Sequence, residues 1–165
     1  MAMDYHFEPL TARDRKPVID AFNYYIENSF AAYPEEKVYY DFFDIILTMT
    51  KGYPAISIKT DADEFMGFAF LHAYHPMPAF KRTAQITYFL NPDYTGEGIG
   101  KAILGRLINE AKKLSIDSLL ANISSLNERS IDFHLKNGFT ECGRFKKIGR
   151  KHGKDFDVVW MQKMV

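Results

Sequence analysis

The spacing of hydrophobic positions in the first third of the chain is typical of helices. After Asp14, which can cap a helix, and Pro17 in its first turn, the run VIDAFNYYIENS predicts a first helix. Residues 35–51, EEKVYYDFFDIILTMTK, predict a second helix that Gly52 ends. The apolar residues of this second segment that share one helical face are Val38, Phe42, Ile45, Ile46 and Met49.

Short runs rich in β-branched and aromatic residues predict strands before and after these helices. The opening YHFEPL suits a first strand. The runs AISIKT and FMGFAFLHAY, separated by the turn-like DADE, predict a hairpin. After the loop HPMPAFKRT, the run AQITYFLN predicts a central strand.

The second half contains one strand–helix–strand crossover and ends in a hairpin. A helix follows the glycine-rich stretch DYTGEGIGKA, and its apolar side consists of Ile99, Ile103, Leu104, Leu107, Ile108, Ala111 and Leu114. DSLLANIS predicts a strand and NERSIDFHLKN a short helix that stops at Gly138. FTECGRFKKIGR and DFDVVWMQKM predict a hairpin that turns at KHGK. The order βααβββαβαββ predicts an α/β (α+β) fold, with helices flanking a mixed, mostly antiparallel central sheet.

Length and composition limit the class of protein. A chain of 165 residues that is 47% hydrophobic and 25% charged is expected to form a single domain over residues 1–165. Because 21 Lys and Arg balance 21 Asp and Glu, no overall field favours nucleic acid or an anionic membrane as a partner. Cys142 is the only cysteine, which excludes an internal disulfide and a multi-thiolate metal site. No apolar run approaches the ~20 residues that span a bilayer, no signal-peptide pattern is present and the histidines lack metal-ligand spacing, so we expect a cytoplasmic protein without a metal.

The stretch DYTGEGIGKA, residues 93–102, is typical of a turn that binds an anion. It does not fit a Walker A loop, because Thr95 stands where the first glycine belongs and Ala102 where the metal-binding hydroxyl belongs. It does not fit a dinucleotide fingerprint, because the third glycine falls on Lys101 or on Ile103. Two readings remain: a turn whose backbone N–H groups and helix N-terminus bind a pyrophosphate, or a turn that serves geometry alone.

Together with a later motif, this turn resembles that of the GNAT acyltransferases, which bind acetyl-CoA. In that family the turn reads Gln/Arg-x-x-Gly-x-Gly/Ala; Gly98 and Gly100 fit, and Thr95 occupies the Gln/Arg position. The family pattern Asn-x-x-Ser-x3-His-x3-Gly-Phe/Tyr matches Asn127, Ser130, His134, Gly138 and Phe139. The histidine, and the segments VIDAFNYYIENSFAAYPEE, PAFKRTAQITYFLNP and GRKHGKDFDVVWMQ, are similar to the branch that acetylates phosphinothricin and methionine sulfoximine.

The resemblance implies acetyl-CoA as the co-substrate. The main chain of Tyr88, Phe89 and Leu90 would pair with the pantetheine arm, and an N–H near Phe89 or Leu90 would polarise the thioester carbonyl. The residues expected around the pyrophosphate are Thr95, Gly96, Glu97, Gly98, Ile99, Gly100 and Lys101, although Lys101 also suits a solvated helix position. Asn127 and Ser130 are expected at the CoA arm, and Asn127 equally suits a plain helix N-cap.

The resemblance also implies two residues for the chemistry of the amine. His134, with an ordinary pKa of about 6.5, suits taking the amine proton or returning one to the departing thiolate; the alternative is a histidine packed between helix and sheet. The branch usually has a glutamate in its central strand, thought to help deprotonate the amine, and the corresponding residue is Gln85. A glutamine can form hydrogen bonds but cannot accept that proton, so either another group is the base or the substrate differs.

The acceptor site is expected between the N-terminal helix–loop and residues 75–85. Phe30, Tyr33 and Phe80 would form apolar walls, and Lys81 or Arg82 would pair with a carboxylate; ordinary packing is the alternative for each. The expected function is acetyl transfer to the primary amine of a small molecule, such as an amino acid or an analogue. Two alternatives stay open: another amine, such as a polyamine or a protein N-terminus, or a CoA-binding module with little transfer activity. The aromatic-rich closing strand DFDVVWMQKM predicts a homodimer interface.

Overall fold

The computed structural model describes residues 3–165 as four α-helices and seven strands, in the predicted order. The helices are α1 (Arg15–Asn28), α2 (Phe42–Met49), α3 (Ile99–Lys113) and α4 (Glu128–Lys136). The strands are β1 (Tyr5–Pro9), β2 (Ala55–Thr60), β3 (Phe65–Ala73), β4 (Thr83–Leu90), β5 (Ser118–Ser124), β6 (Thr140–Lys151) and β7 (Lys154–Met164). None of the helices in this part of the chain is long and apolar enough to cross a membrane.

The seven strands form one mixed sheet in the order β1-β2-β3-β4-β5-β7-β6. Among the strands that the structure describes, only the β4–β5 pair is parallel, with α3 as its crossover helix, and the other neighbours are antiparallel. The predicted fold class is therefore confirmed. The closing strand β7, predicted as a homodimer interface, lies between β5 and β6 with its main chain paired on both sides. The edge strand next to β7 is β6, whose residues 140–148 are all exposed.

Helices cover both faces of the sheet. On one face α3 buries Ile99, Ile103 and Leu107 against β4, β5 and β7, as its 3.6-residue period predicts. On the other face α1 and α2 pack against Phe68 and Phe70 of β3. Burying each large apolar side chain contributes about 1.5–3 kcal/mol, so these two layers supply most of the driving force for folding. Leu114, predicted on the buried side, is 46% exposed because α3 ends at Lys113.

The second helix is much shorter than residues 35–51. The side chain of Asn23 on α1 accepts a hydrogen bond from the Val38 N–H (2.8 Å) and donates one to the Val38 carbonyl (3.0 Å). This contact keeps residues 34–38 out of the helix, because both polar groups of Val38 are already bonded. The buried face of α2 is Phe43 and Ile46, whereas Ile45 is 56% exposed, so the predicted face was also wrong in part.

Candidate active site

The β4–β5 pair separates in the middle of the sheet. Paired positions run only from Thr83 with Ser118 to Gln85 with Leu120, although β4 continues to Leu90. Beyond Gln85 one side of β4 therefore has no strand partner, and its main-chain groups on that side border an open gap. The gap lies at the carboxyl end of a parallel strand pair, where α/β sheets commonly bind ligands.

Strand alternation identifies which main-chain groups of β4 face this gap. The Asn91 N–H donates to the Met66 carbonyl on β3, and the Arg82 carbonyl accepts from the Ser118 N–H on the β5 side. Because the direction alternates with each residue, Tyr88 and Leu90 face the gap and Phe89 faces β3. The side chain of Phe89 packs against Phe22 and Phe68. The Leu90 carbonyl accepts from the Tyr25 hydroxyl, which leaves the Leu90 N–H directed at the gap.

The glycine turn ends beside the gap and begins α3. Gly98 precedes α3 with φ of +77°, a left-handed conformation that favours glycine. The first N–H groups of α3 have no partner within the helix, so the turn presents donors to an anion. A Cβ on Gly100 would lie 3.4 Å from the Phe133 ring, so α4 packs close against this end of α3. The Thr95 hydroxyl donates to the Pro92 carbonyl (3.0 Å), while Glu97 and Lys101 are exposed.

Arg129, which the sequence analysis did not single out, stands over the same turn. One nitrogen of its guanidinium lies 3.9 Å from where a Cβ of Gly96 would be. Arg129 belongs to the first turn of α4, inside the NERS segment of the family pattern. Its charge next to a turn of free N–H groups adds a second attraction for a phosphate. The sequence alone gave no signal for Arg129, because its place beside the turn depends on the contact between α3 and α4.

His134 lies near the C-terminal end of α4 and is buried on the face of the sheet that α3 covers. Its Nδ1 lies 2.6 Å from the Ser130 carbonyl and its Nε2 is hydrogen-bonded to the Tyr88 hydroxyl. Burial lowers the pKa of His134 and raises the pKa of the Tyr88 hydroxyl. Since a carbonyl only accepts, Nδ1 carries the proton and Nε2 accepts from Tyr88. The Asn127 side chain accepts from the Ser130 N–H (3.3 Å), which is the N-cap arrangement.

Gln85 lies on the opposite face of β4, on the floor of an open cavity of about 540 Å³. Its Oε1 accepts from Asn122 Nδ2 (3.0 Å), and Asn122 Oδ1 accepts from the Tyr33 hydroxyl (3.0 Å). The walls of the cavity are mainly apolar and consist of Tyr33, Phe145, Ile148, Gly149, Phe156, Val158 and Trp160. We call this cavity the acceptor groove. Its volume falls within the ~300–1,000 Å³ typical of small-molecule sites.

The structure brings only some of the predicted substrate residues to the acceptor groove. Tyr33 lines it, stacked on Phe156 with ring centroids 5.7 Å apart, and Phe30 packs behind Phe156 at 6.4 Å. Phe80 contacts Tyr74 and His75 outside the groove. The Lys81 side chain is exposed, and the Arg82 guanidinium is paired with Asp117. Neither cation lines the groove.

Sequence reasoning missed the polar floor residue and the far wall. Asn122 is a single polar amide in the apolar strand SLLANIS, and that contrast was a usable signal for a functional side chain. Phe145, Ile148 and Trp160 come from the final hairpin, and their place opposite Tyr33 depends on β7 pairing with β5. That pairing is not visible in the local pattern of either strand.

One further cluster of titratable residues lies on β1 and the β2–β3 turn. His6, Glu8 and Asp63 are close enough together to hold a cation. The Lys59 ammonium already lies among them, 2.9 Å from Glu8, 3.7 Å from Asp63 and 3.5 Å from Asp14. These contacts describe an ion-pair network centred on Lys59, far from the acceptor groove in the sheet order.

A comparison with known proteins agrees with this site. A sequence profile of the acetyltransferase (GNAT) family matches residues 18–139. The chain is 26% identical to a phosphinothricin N-acetyltransferase of Streptomyces coelicolor over 163 residues, which cover 94% of this chain and 93% of that protein. It is 30% identical to an L-methionine sulfoximine/L-methionine sulfone acetyltransferase of Pseudomonas paraeruginosa over 112 residues, 68% of this chain and 65% of that one.

A solved structure shows the same fold with the co-substrate bound. A GNAT superfamily phosphinothricin acetyltransferase from Sinorhizobium meliloti, in complex with AcCoA, superposes with a TM-score of 0.92 at 26% identity. The match covers 99% of this chain and 89% of that one. The free N–H groups of the glycine turn and the unpaired side of β4 suit the pyrophosphate and the amide-bearing arm of this molecule. The chain therefore belongs to the GNAT family and is an acetyl-CoA-dependent N-acetyltransferase.

Proposed function

We propose that this enzyme acetylates the primary amine of a small amino acid or amino acid analogue, of the kind represented by phosphinothricin and methionine sulfoximine. The observation that carries the proposal is the acceptor groove, whose polar floor at Gln85 lies where β4 and β5 separate. An amine bound there would reach a thioester held in the gap. The names of the two relatives support this acceptor class.

Acetyl-CoA would bind along the unpaired side of β4. The main-chain groups of Tyr88 and the Leu90 N–H would pair with the pantetheine arm or polarise the thioester carbonyl, while Phe89 shapes the strand from the other face. The N–H groups from Gly96 to Lys101 would bind the pyrophosphate. Arg129 would add charge to that site. Asn127 and Ser130 would hold α4 next to the arm.

The reaction needs one proton to move from nitrogen to sulfur. The neutral amine attacks the thioester carbon, the C–S bond breaks, and the thiolate leaves as the amide nitrogen loses a proton. In the proposed relay, the Tyr88 oxygen takes the amine proton while its own proton passes to His134 Nε2. The two transfers then reverse and deliver a proton to the thiolate, so His134 and Tyr88 end unchanged.

Acetyl-CoA-dependent release of free thiol tests the acceptor class. We expect kcat/KM for L-methionine sulfoximine or phosphinothricin at least about tenfold above that for spermidine or a peptide N-terminus, because the groove fits a small molecule. Reactions without amine give the background rate. Preference for the polyamine or the peptide would overturn the proposal. Binding of acetyl-CoA with no transfer to any amine would identify a CoA-binding module instead.

Two wider properties belong to the same proposal. We expect a cytoplasmic enzyme, in line with its single unpaired cysteine, which is exposed. We also expect a homodimer, formed through the exposed strand β6 in place of β7. The main-chain edge of β6, whose residues 140–148 are all exposed, would be paired in such a dimer. Sedimentation of the purified chain should give twice the chain mass.

A further inference from the structure

We infer that Tyr33 and Asn122 are positioning residues that hold the Gln85 amide with its NH2 group facing the acceptor groove. Gln85 would then bind an oxygen of the acceptor molecule instead of taking its amine proton. The inference rests on the proposed function, because it concerns how the acceptor is chosen. It assigns a role to Asn122 and to the Tyr33 hydroxyl that the transfer reaction alone does not require.

Three side chains form a single hydrogen-bonded chain across the floor of the groove. The Tyr33 hydroxyl donates to Asn122 Oδ1 at 3.0 Å, and Asn122 Nδ2 donates to Gln85 Oε1 at 3.0 Å. Asn122 and Gln85 lie on neighbouring strands, and Gln85 is the last residue of β4 paired with β5. The Gln85 NH2 group makes no hydrogen bond to any other residue that the structure describes. This NH2 group is therefore the free end of the hydrogen-bonded series Tyr33–Asn122–Gln85.

The tyrosine at the other end supports this direction of the hydrogen bonds. The Tyr33 ring is stacked on Phe156 at an interplanar angle of 3°, which fixes the position of its hydroxyl. Burial raises the pKa of this hydroxyl to about 12, so it keeps its proton and remains a donor near neutral pH. In the structure the Asn122 oxygen accepts from this hydroxyl and the Asn122 NH2 group donates to Gln85, which agrees with a protonated donor at Tyr33. Gln85 in turn offers its own NH2 group to the groove.

An NH2 group at this position selects for an acceptor oxygen. It can donate to a carboxylate or to the oxygen of a tetrahedral sulfur or phosphorus centre, and a charge-assisted bond of this kind is stronger than a neutral one. The walls supply apolar contact for the rest of the molecule. Oxygen-bearing amines should therefore be favoured over plain alkyl amines of similar size.

The substitution Asn122→Asp tests the inference by reversing the direction of the hydrogen bond between residue 122 and Gln85. The introduced carboxylate accepts from both the Tyr33 hydroxyl and the Gln85 NH2 group, which turns Gln85 Oε1 towards the groove. We expect kcat/KM for L-methionine sulfoximine to fall about tenfold or more, chiefly through KM, because a donor is replaced by an acceptor. For a plain alkyl amine the fall should be at most about threefold, and KM for acetyl-CoA should not change.

Two further variants keep the result interpretable. Tyr33→Phe removes the fixed donor and should weaken the same discrimination by a smaller factor. Tyr39→Phe, on an exposed tyrosine away from the groove, should leave both amines unchanged. An equal fall for both amines after Asn122→Asp, or no fall for either, would overturn the inference.

A measurement without turnover separates this inference from the proposed function. In wild-type protein labelled with nitrogen-15 and carbon-13, the Asn122 side-chain amide nitrogen should show a through-hydrogen-bond coupling to the Gln85 side-chain carbonyl carbon. The coupling should vanish in Gln85→Ala, which serves as its control. Absence of the coupling in wild type would overturn the inference even if amino acids are good acceptors. Its presence together with no acetylation of amino acids would overturn only the proposed function.

Discussion

In the Tyr88–His134 pair, the donor and the acceptor of each hydrogen bond are fixed: His134 Nδ1 donates to the Ser130 carbonyl, and the Tyr88 hydroxyl donates to His134 Nε2. The His134 Nδ1 proton is held by the Ser130 carbonyl, so the only lone pair of the ring faces the Tyr88 hydroxyl. Burial disfavours the charged form of both groups, so the pair is neutral at rest. A proton would therefore reach His134 Nε2 by way of Tyr88, so the proposed relay gives this tyrosine a side-chain role in addition to that of its main chain.

The substitution Tyr88→Phe tests the relay. It removes one hydroxyl and keeps the ring against Phe133, so the packing of α4 is preserved. We expect kcat to fall about 100-fold or more, since general acid–base catalysis typically contributes about 10²–10⁴-fold, with KM for both substrates little changed. Steady-state kinetics measure this, with Tyr53→Phe as the matched control. If the Tyr88→Phe variant keeps the kcat of the wild type, the relay is contradicted and His134 only packs between helix and sheet.

At the scale of elements, a buried lysine of the final hairpin is hydrogen-bonded to the loop after α1. Lys151 is fully buried, and its ammonium donates to the Ser29 carbonyl (2.8 Å) and the Ala32 carbonyl (2.6 Å). Burial lowers the pKa of Lys151, and the two carbonyls offset the cost of desolvating its charge. This contact places Tyr33 opposite Ile148, so two walls of the acceptor groove depend on one side chain.

The substitution Lys151→Met should loosen the groove without affecting the CoA side. Two buried carbonyls lose their donor, which should lower the free energy of unfolding by about 1–3 kcal/mol. KM for the amine should rise several-fold, while KM for acetyl-CoA stays the same because α3 and β4 are untouched. Urea unfolding and steady-state kinetics measure the two effects. Lys112→Met, on the exposed side of α3, is the control, and equal changes in both KM values would contradict this account.

How far the sequence predicted these elements depended on how local the deciding contacts are. The buried face of α3 was predictable because Ile99, Ile103 and Leu107 follow the helical period by themselves. The start of α2 was not, because the bonds from Asn23 to Val38 join residues 15 positions apart. Asn122 was missed for the same reason: its meaning depends on the parallel register that places it beside Gln85.

At the scale of the whole molecule, two part-buried or buried histidines on opposite faces of the sheet connect stability to pH. His72 follows Phe68 and Phe70 on β3, and His134 packs under α4. Burial lowers the pKa of both rings. The unfolded chain, with histidine pKa values of about 6.5, then binds protons that the folded chain does not. Stability is unaffected above that pH and falls as pH drops below it.

We expect the free energy of unfolding to decrease between pH 7 and pH 5, with a slope of at most about 1.4 kcal/mol per pH unit for each histidine. Urea unfolding at pH 7, 6 and 5 measures the slope. His134→Gln and His72→Gln should each flatten it, whatever their effect at pH 7. His152→Gln, on the exposed β6–β7 turn, should keep the wild-type slope. Steeper or unchanged slopes in the two buried variants would contradict the assignment.

The short β4–β5 pairing, a seam between the two parts of the sheet, also affects the order in which the chain folds. Within residues 3–165 it is the only strand pairing between β1–β4 and β5–β7, and it contains three residue pairs, against seven for β3–β4 and seven for β5–β7. Such a seam is expected to close late in folding and to open first among the sheet's pairings, because few hydrogen bonds hold it and α3 must form before it can close. A ligand that binds both sides of a seam favours the closed state by mass action. In the proposed binding mode acetyl-CoA would be a temporary part of the sheet, and each catalytic cycle would complete the fold and release it again.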